Sequence, residues 1–119
     1  MINDSITHVK SKAFAIRIVH FYRHLTETKK EFVLSKQILR SGTSIGANVR
    51  ESFSAQSRAD FISKLSIALK EADETAYWME LLVEADYIDR NEYDSLNSDL
   101  KEVAALIAAS VKTAKAKTK

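Results

Sequence analysis

The sequence predicts an all-α fold, an antiparallel up-down four-helix bundle, and three observations carry that prediction. Apolar residues recur at three- and four-residue spacings in four separate segments, the pattern of one buried face per helix. The 119 residues contain no proline and only two glycines, so almost nothing interrupts those segments from within. Ser57 and Asp89 stand at segment starts, where a side-chain oxygen can accept from the orphan N–H groups of a first helical turn. A chain of this length buries one modest core. A single domain over residues 1–119, with short links between antiparallel neighbours, is therefore expected.

The first helix is expected over about residues 5–28, capped by Asp4 or Ser5. Phe14, Ile18, Phe21 and Leu25 form one apolar row, and Ile6, Val9, Ala13 and Ile16 form a second beside it. That helix should be buried over a wide arc. The charged stretch from Glu27 to Phe32 links it to a second helix over about 33–54.

The second helix has three faces on a 3.6-residue wheel. Leu34, Ile38, Gly42, Ile45, Val49 and Phe53 make an apolar stripe. Gln37, Ser41, Ser44, Asn48 and Glu51 make a stripe of small or hydrogen-bonding residues. Lys36, Arg40, Thr43, Ala47 and Arg50 make a basic face with no acid. Such a helix needs neighbours on two sides, so the rest of the chain should wrap around it.

The third helix is expected over about 58–85, with Ser57 as N-cap and Asp60 completing an approximate capping box. Phe61, Leu65, Ala68, Leu69, Ala72, Ala76, Met79 and Val83 form its core stripe. Ile67, Trp78, Leu81 and Ala85 form a second apolar row, with Glu71 and Glu74 beside it. A second apolar face bearing tryptophan marks an interface, so self-association is expected. The fourth helix, about 90–111, starts at a second capping box, Asp89 to Glu92, and carries the narrow seam Tyr93, Leu96, Leu100, Val103, Ile107 and Val111. A basic tail over 112–119 follows, with Lys112, Lys115, Lys117 and Lys119 offsetting the helix dipole and then fraying.

Composition excludes several functions. With no cysteine there is no disulfide framework, thiolate metal site or cysteine nucleophile, which fits a cytoplasmic location. No uncharged run approaches the ~20 residues that span a bilayer. His20 and His24 stand four apart on the first helix, but no third ligand accompanies them, and the paired Glu-x-x-His motifs of di-iron bundles are missing. Neither a phosphate-cradling glycine loop nor a nucleophile–base spacing is present. No metal, no cofactor and no catalysis are expected. Charge is uneven: residues 1–50 hold nine Lys/Arg against three Asp/Glu, and residues 51–119 hold nine against thirteen. Either the two halves face each other within the bundle, or the basic half meets phosphate.

Residues Gln37 to Glu51 (QILRSGTSIGANVRE) resemble the signature of a bacterial four-helix-bundle family that includes proteins encoded in intervening sequences of 23S ribosomal RNA genes. Asp60-Phe61-Ile62, the run Leu65 to Leu69, Glu74, Tyr77-Trp78 and the exit Asp86-Tyr87-Ile88 resemble its second signature. The resemblance covers about residues 5–110 and departs at Ser52, where members often carry glycine. It implies a ring-like homopentamer. It also implies a fold similar to the accessory variability determinant of diversity-generating retroelements, a pentamer that binds nucleic acid and works with a reverse transcriptase.

By fold-level analogy, this chain is expected to be a non-enzymatic accessory protein that contacts RNA or DNA, beside a nucleic-acid-processing enzyme. Lys36, Arg40 and Arg50, with Lys10, Arg17 and Arg23 from the first helix, would meet phosphate. Lacking interleaved aromatics, they would read the backbone rather than the bases. The alternative is a protein–protein assembly or adaptor module. Ser41, Ser44, Asn48, Glu51, Ile67, Glu71, Glu74, Trp78 and Leu81 are assigned to structural or interface contacts, with Glu71 and Glu74 as partners for the polar stripe.

Overall fold

In a computed structural model, residues 2–117 are described, the side chains from Ile6 onward. Four helices follow in order: α1 (Ile2–Glu27), α2 (Leu34–Ser52), α3 (Arg58–Glu84) and α4 (Arg90–Ala116). Each packs against the next and α4 returns to α1, so the section is a square with an apolar centre. The assembly extends 49 × 21 × 20 Å.

The core follows the stripes expected from periodicity, with two corrections. Phe53 lies past the end of α2 and is 46% exposed. Leu82, outside the expected α3 stripe, is fully buried, while Phe61, Leu69, Ala76 and Val83 only pack against the core's edge. Phe14, Ile18, Phe21 and Leu25 of α1 meet Ile38, Ile45 and Val49 of α2, Leu65, Ala68, Ala72 and Met79 of α3, and Leu96, Leu100, Val103 and Ile107 of α4. The second row of α1 behaves otherwise. Ile6, Val9 and Ile16 are 45%, 62% and 50% exposed, so the wide burial expected of this helix is corrected to one face. The square has room for one stripe per helix, and the second row points away from it.

The helix ends explain the differences in boundary. α1 begins at Ile2, ahead of the expected caps, and the side chains of Asp4 and Ser5 lie outside the described residues. It stops because Lys30 takes a left-handed φ of 57° while Glu31 N–H donates back to the Leu25 carbonyl. α3 ends one residue tighter, in a six-to-one closure with Asp86 at φ 67° and Tyr87 N–H donating to the Leu82 carbonyl. Both ends put a left-handed residue where glycine is usual.

Glu31, three residues before Leu34, caps α2. Its carboxylate accepts from the N–H groups of Val33 (3.2 Å), Leu34 (2.9 Å) and Ser35 (2.6 Å). Burial pushes its pKa up, but these backbone donors outweigh burial and the net result is lowered. Ser57 and Asp89 cap α3 and α4 as expected, accepting from Asp60 N–H and Glu92 N–H. Asp60 reaches back to Gln56 N–H rather than to the cap itself.

The end of α4 differs from the expected frayed tail. Val111 and Ala114 are buried, so packing carries the helix through Ala116 and places Lys112 and Lys115 on it. Lys117 is the C-cap, and Lys119 lies outside the described residues.

Candidate interaction surfaces

Both glycines lie on the side of α2 that faces α1. A Cβ at Gly42 would sit 2.9 Å from two side-chain carbons of Ile18, and one at Gly46 would sit 3.3 Å from the Ser11 carbonyl oxygen. Missing side chains thus let α1 and α2 approach closely. On the opposite flank, α2 meets α3 through polar groups. Ser41 and Thr75, both buried, are hydrogen-bonded hydroxyl to hydroxyl at 2.9 Å.

The other small residues of that stripe bond within their own helix. Ser44 donates to the Arg40 carbonyl and Asn48 Nδ2 donates to the Ser44 carbonyl. Glu51 pairs with Lys64 of α3 at 3.3 Å. Glu71 and Glu74 therefore do not serve the small residues; their partner is Arg40. Its guanidinium donates to both carboxylate oxygens of Glu74, at 2.8 and 2.9 Å, and lies 3.7 Å from Glu71. Burial and the neighbouring Glu74 carboxyl push the Glu71 pKa up, and Arg40 opposes them. One cation thus serves two carboxylates.

The α1 cations are similarly occupied. Arg17 donates to Asp99 at 2.7 Å and to the Ser95 hydroxyl at 3.1 Å. Lys10 lies 3.6 Å from Glu102, and Arg23 lies 4.0 Å from Glu27 on its own helix. Of the six residues expected to meet phosphate, Lys36 and Arg50 make no ion pair among the described residues, and both are exposed on α2. Lys10, Arg17 and Arg40 join the basic half of the chain to its acidic half. Their acidic partners were missed in the sequence, although Ser95, Asp99 and Glu102 recur four and three apart, the spacing of one helix face.

The second row of α3 is only partly open. Ile67 is 40% exposed, whereas Trp78 and Leu81 are half-buried and Trp78 packs against the core. Its indole Nε1–H is buried without an acceptor. Tyr77, 53% exposed, stands beside it with ring centroids 5.2 Å apart. Among the described residues, no three His, Asp or Glu side chains converge as metal ligands, and no helix is long and apolar enough to cross a membrane.

The model of the 23S rRNA-intervening sequence proteins matches residues 3–109. The chain belongs to that family. This family member is also similar to a crystal structure, at 1.70 Å resolution, of a Bacteroides thetaiotaomicron protein of unknown function from the S23 ribosomal protein family. The two are 57% identical with a TM-score of 0.91, over 92% of this chain and 98% of the other. No curated protein matches this member of the family.

Proposed function

We propose that this chain is a non-enzymatic, self-assembling four-helix module of the cytoplasm, a homopentamer as its family resemblance implies. The observation that carries the reading is the apolar surface left open on α1, where Ile6, Val9 and Ile16 are each close to half exposed or more. Apolar rows of that kind on a small domain mark contacts with another protein surface. An up-down order suits it. Residues 28–33, 53–57 and 85–89 reach at most about 3.5 Å each, too short to run back along even α2, whose 19 residues measure roughly 28 Å.

A second reading, weakly specific nucleic-acid binding as an accessory to a processing enzyme, rests on Lys36 and Arg50. Both are exposed and free of ion pairs among the described residues, and assembly would repeat them on every subunit. Such contacts reach phosphate and weaken steeply with salt.

Light scattering on the eluting protein, with and without a short RNA and across a salt series, separates the two. Assembly predicts a mass of several subunits that does not need RNA. The nucleic-acid reading predicts added RNA mass that disappears at high salt and in the Lys36→Glu, Arg50→Glu double variant. RNA retention by that variant equal to the unaltered chain would exclude the second reading. A monomer in every condition would exclude the first.

A further inference from the structure

An open apolar row on α1 and a partly open one on α3 differ in the charge around them. The outer face of α1 carries Ile6, Val9 and Ile16 among Lys12, His20 and Arg23, all exposed. The only acid on the described side chains of α1 is Glu27, at its last residue. On α3, Ile67, Trp78 and Leu81 alternate with Glu71 and Glu74, and Asp73 and Glu80 stand nearby on the same helix. Residues 71–84 hold five acids (Glu71, Asp73, Glu74, Glu80 and Glu84) and no Lys or Arg. Against them stand Arg40, reaching over from α2, and the exposed Lys70 just before them, so this half of α3 keeps an excess of negative charge. α4 exposes no large apolar residue among those described, its Tyr93 and Leu106 being half-buried.

Self-pairing is unfavourable for either row. α1 against α1 would set cations against cations, and α3 against α3 would set carboxylates against carboxylates. Pairing α1 with α3 joins apolar to apolar and basic to acidic. Within one chain these two helices sit at opposite corners of the square, with α2 and α4 between them. The pairing must therefore be between chains.

We propose that copies of this chain meet heterologously, the outer face of α1 on one copy (Ile6, Val9, Ile16) docking on the α3 flank of the next (Ile67, Trp78, Leu81). This rests on the assembly reading above and names its contact. A head-to-tail contact leaves one unsatisfied face at each end until rotation closes it into a ring.

The test uses Ile16→Asp and Ile67→Asp, two positions 50% and 40% exposed in the isolated bundle. Each variant blocks one face and leaves the other intact. Either variant alone should fall to the mass of one subunit. An equal mixture should recover dimers and nothing larger, because the intact α1 face of one variant meets the intact α3 flank of the other. If either variant alone keeps the mass of the unaltered oligomer, or if the mixture stays monomeric, the contact is wrong. A monomeric unaltered chain would instead remove the assembly reading itself.

Should a variant fail to fold by circular dichroism, cysteines give an independent route, since the chain has none. With a flexible bismaleimide, Ile16→Cys combined with Ile67→Cys should give ladders beyond the dimer, whereas each single cysteine should give no cross-link. Dimers from either single cysteine would overturn the head-to-tail contact.

Discussion

α1 and α4 lie side by side, joined by Arg17–Asp99 and Lys10–Glu102, yet they finish their surfaces differently. α4 buries Leu96, Leu100, Val103, Ile107 and Val111 and turns Asp94, Ser95, Lys101, Glu102 and alanines outward. α1 buries an equivalent row and still turns Ile6, Val9, Ile16 and Val19 outward. The fold of one chain completes α4 and leaves α1 incomplete. An apolar arc wider than one stripe thus reports more than a core; the surplus needs a second surface.

The largest expected effect tests that contrast directly. Ile107→Ala, at a position with no exposure, should cost about 2–5 kcal/mol in urea unfolding at any protein concentration. Ile16→Ala should cost less than about 0.5 kcal/mol in dilute protein, as surface changes do. Its cost should grow as concentration rises, because assembly stabilises by mass action. Equal losses from the two in dilute protein would show that α1 is as complete as α4.

The starts of helices sharpen the comparison. The connection leaving α1 starts α2 with Glu31, which accepts from three backbone N–H groups, whereas Asp89 starts α4 by accepting from one. Glu31→Ala should therefore cost about 1–3 kcal/mol and Asp89→Ala about 1 kcal/mol. The pH dependence has a definite sign. The folded pKa of Glu31 is lowered, so its contribution is fully present above the ordinary glutamate value of about 4.3 and is lost as pH falls through the lower folded value. The stability gap between the unaltered chain and Glu31→Gln should thus be constant from neutral pH to roughly that value and narrow below it. A gap that widens on acidification would exclude a charged cap.

Much of this was legible in the sequence because it is periodic or local. The row Phe14, Ile18, Phe21, Leu25, the α4 seam and the caps Ser57 and Asp89 need only helical spacing and a short polar side chain at a boundary. What was not legible depends on how helices are turned toward one another. A wheel puts Arg40 on a basic face, but only the position of α3 shows that Glu71 and Glu74 stand opposite it. Likewise the wheel gives α1 two apolar rows without saying which one the square encloses. The turns were hidden for another reason: Lys30 and Asp86 occupy left-handed positions where glycine would have announced the helix end.

The smallest effect concerns the inner side of α1, where packing is as tight as the outer side is open. Alanine is favoured over glycine by about 1 kcal/mol inside a helix, so Gly42→Ala and Gly46→Ala would stabilise α2 if space allowed. At Gly42 the added Cβ would lie 2.9 Å from two carbons of Ile18, a buried residue with no room to retreat. Overpacking of that kind costs about 1–3 kcal/mol, so a net loss of roughly 1 kcal/mol is expected. Gly46 is less severe, with the nearest atom at 3.3 Å, and its two terms should nearly cancel. Combining Gly42→Ala with Ile18→Ala separates strain from any intrinsic need for glycine. Once Ile18 is shortened, the Gly42→Ala step should become neutral or stabilising in the urea midpoint. If the loss persists in that background, contact with α1 is not what keeps position 42 bare.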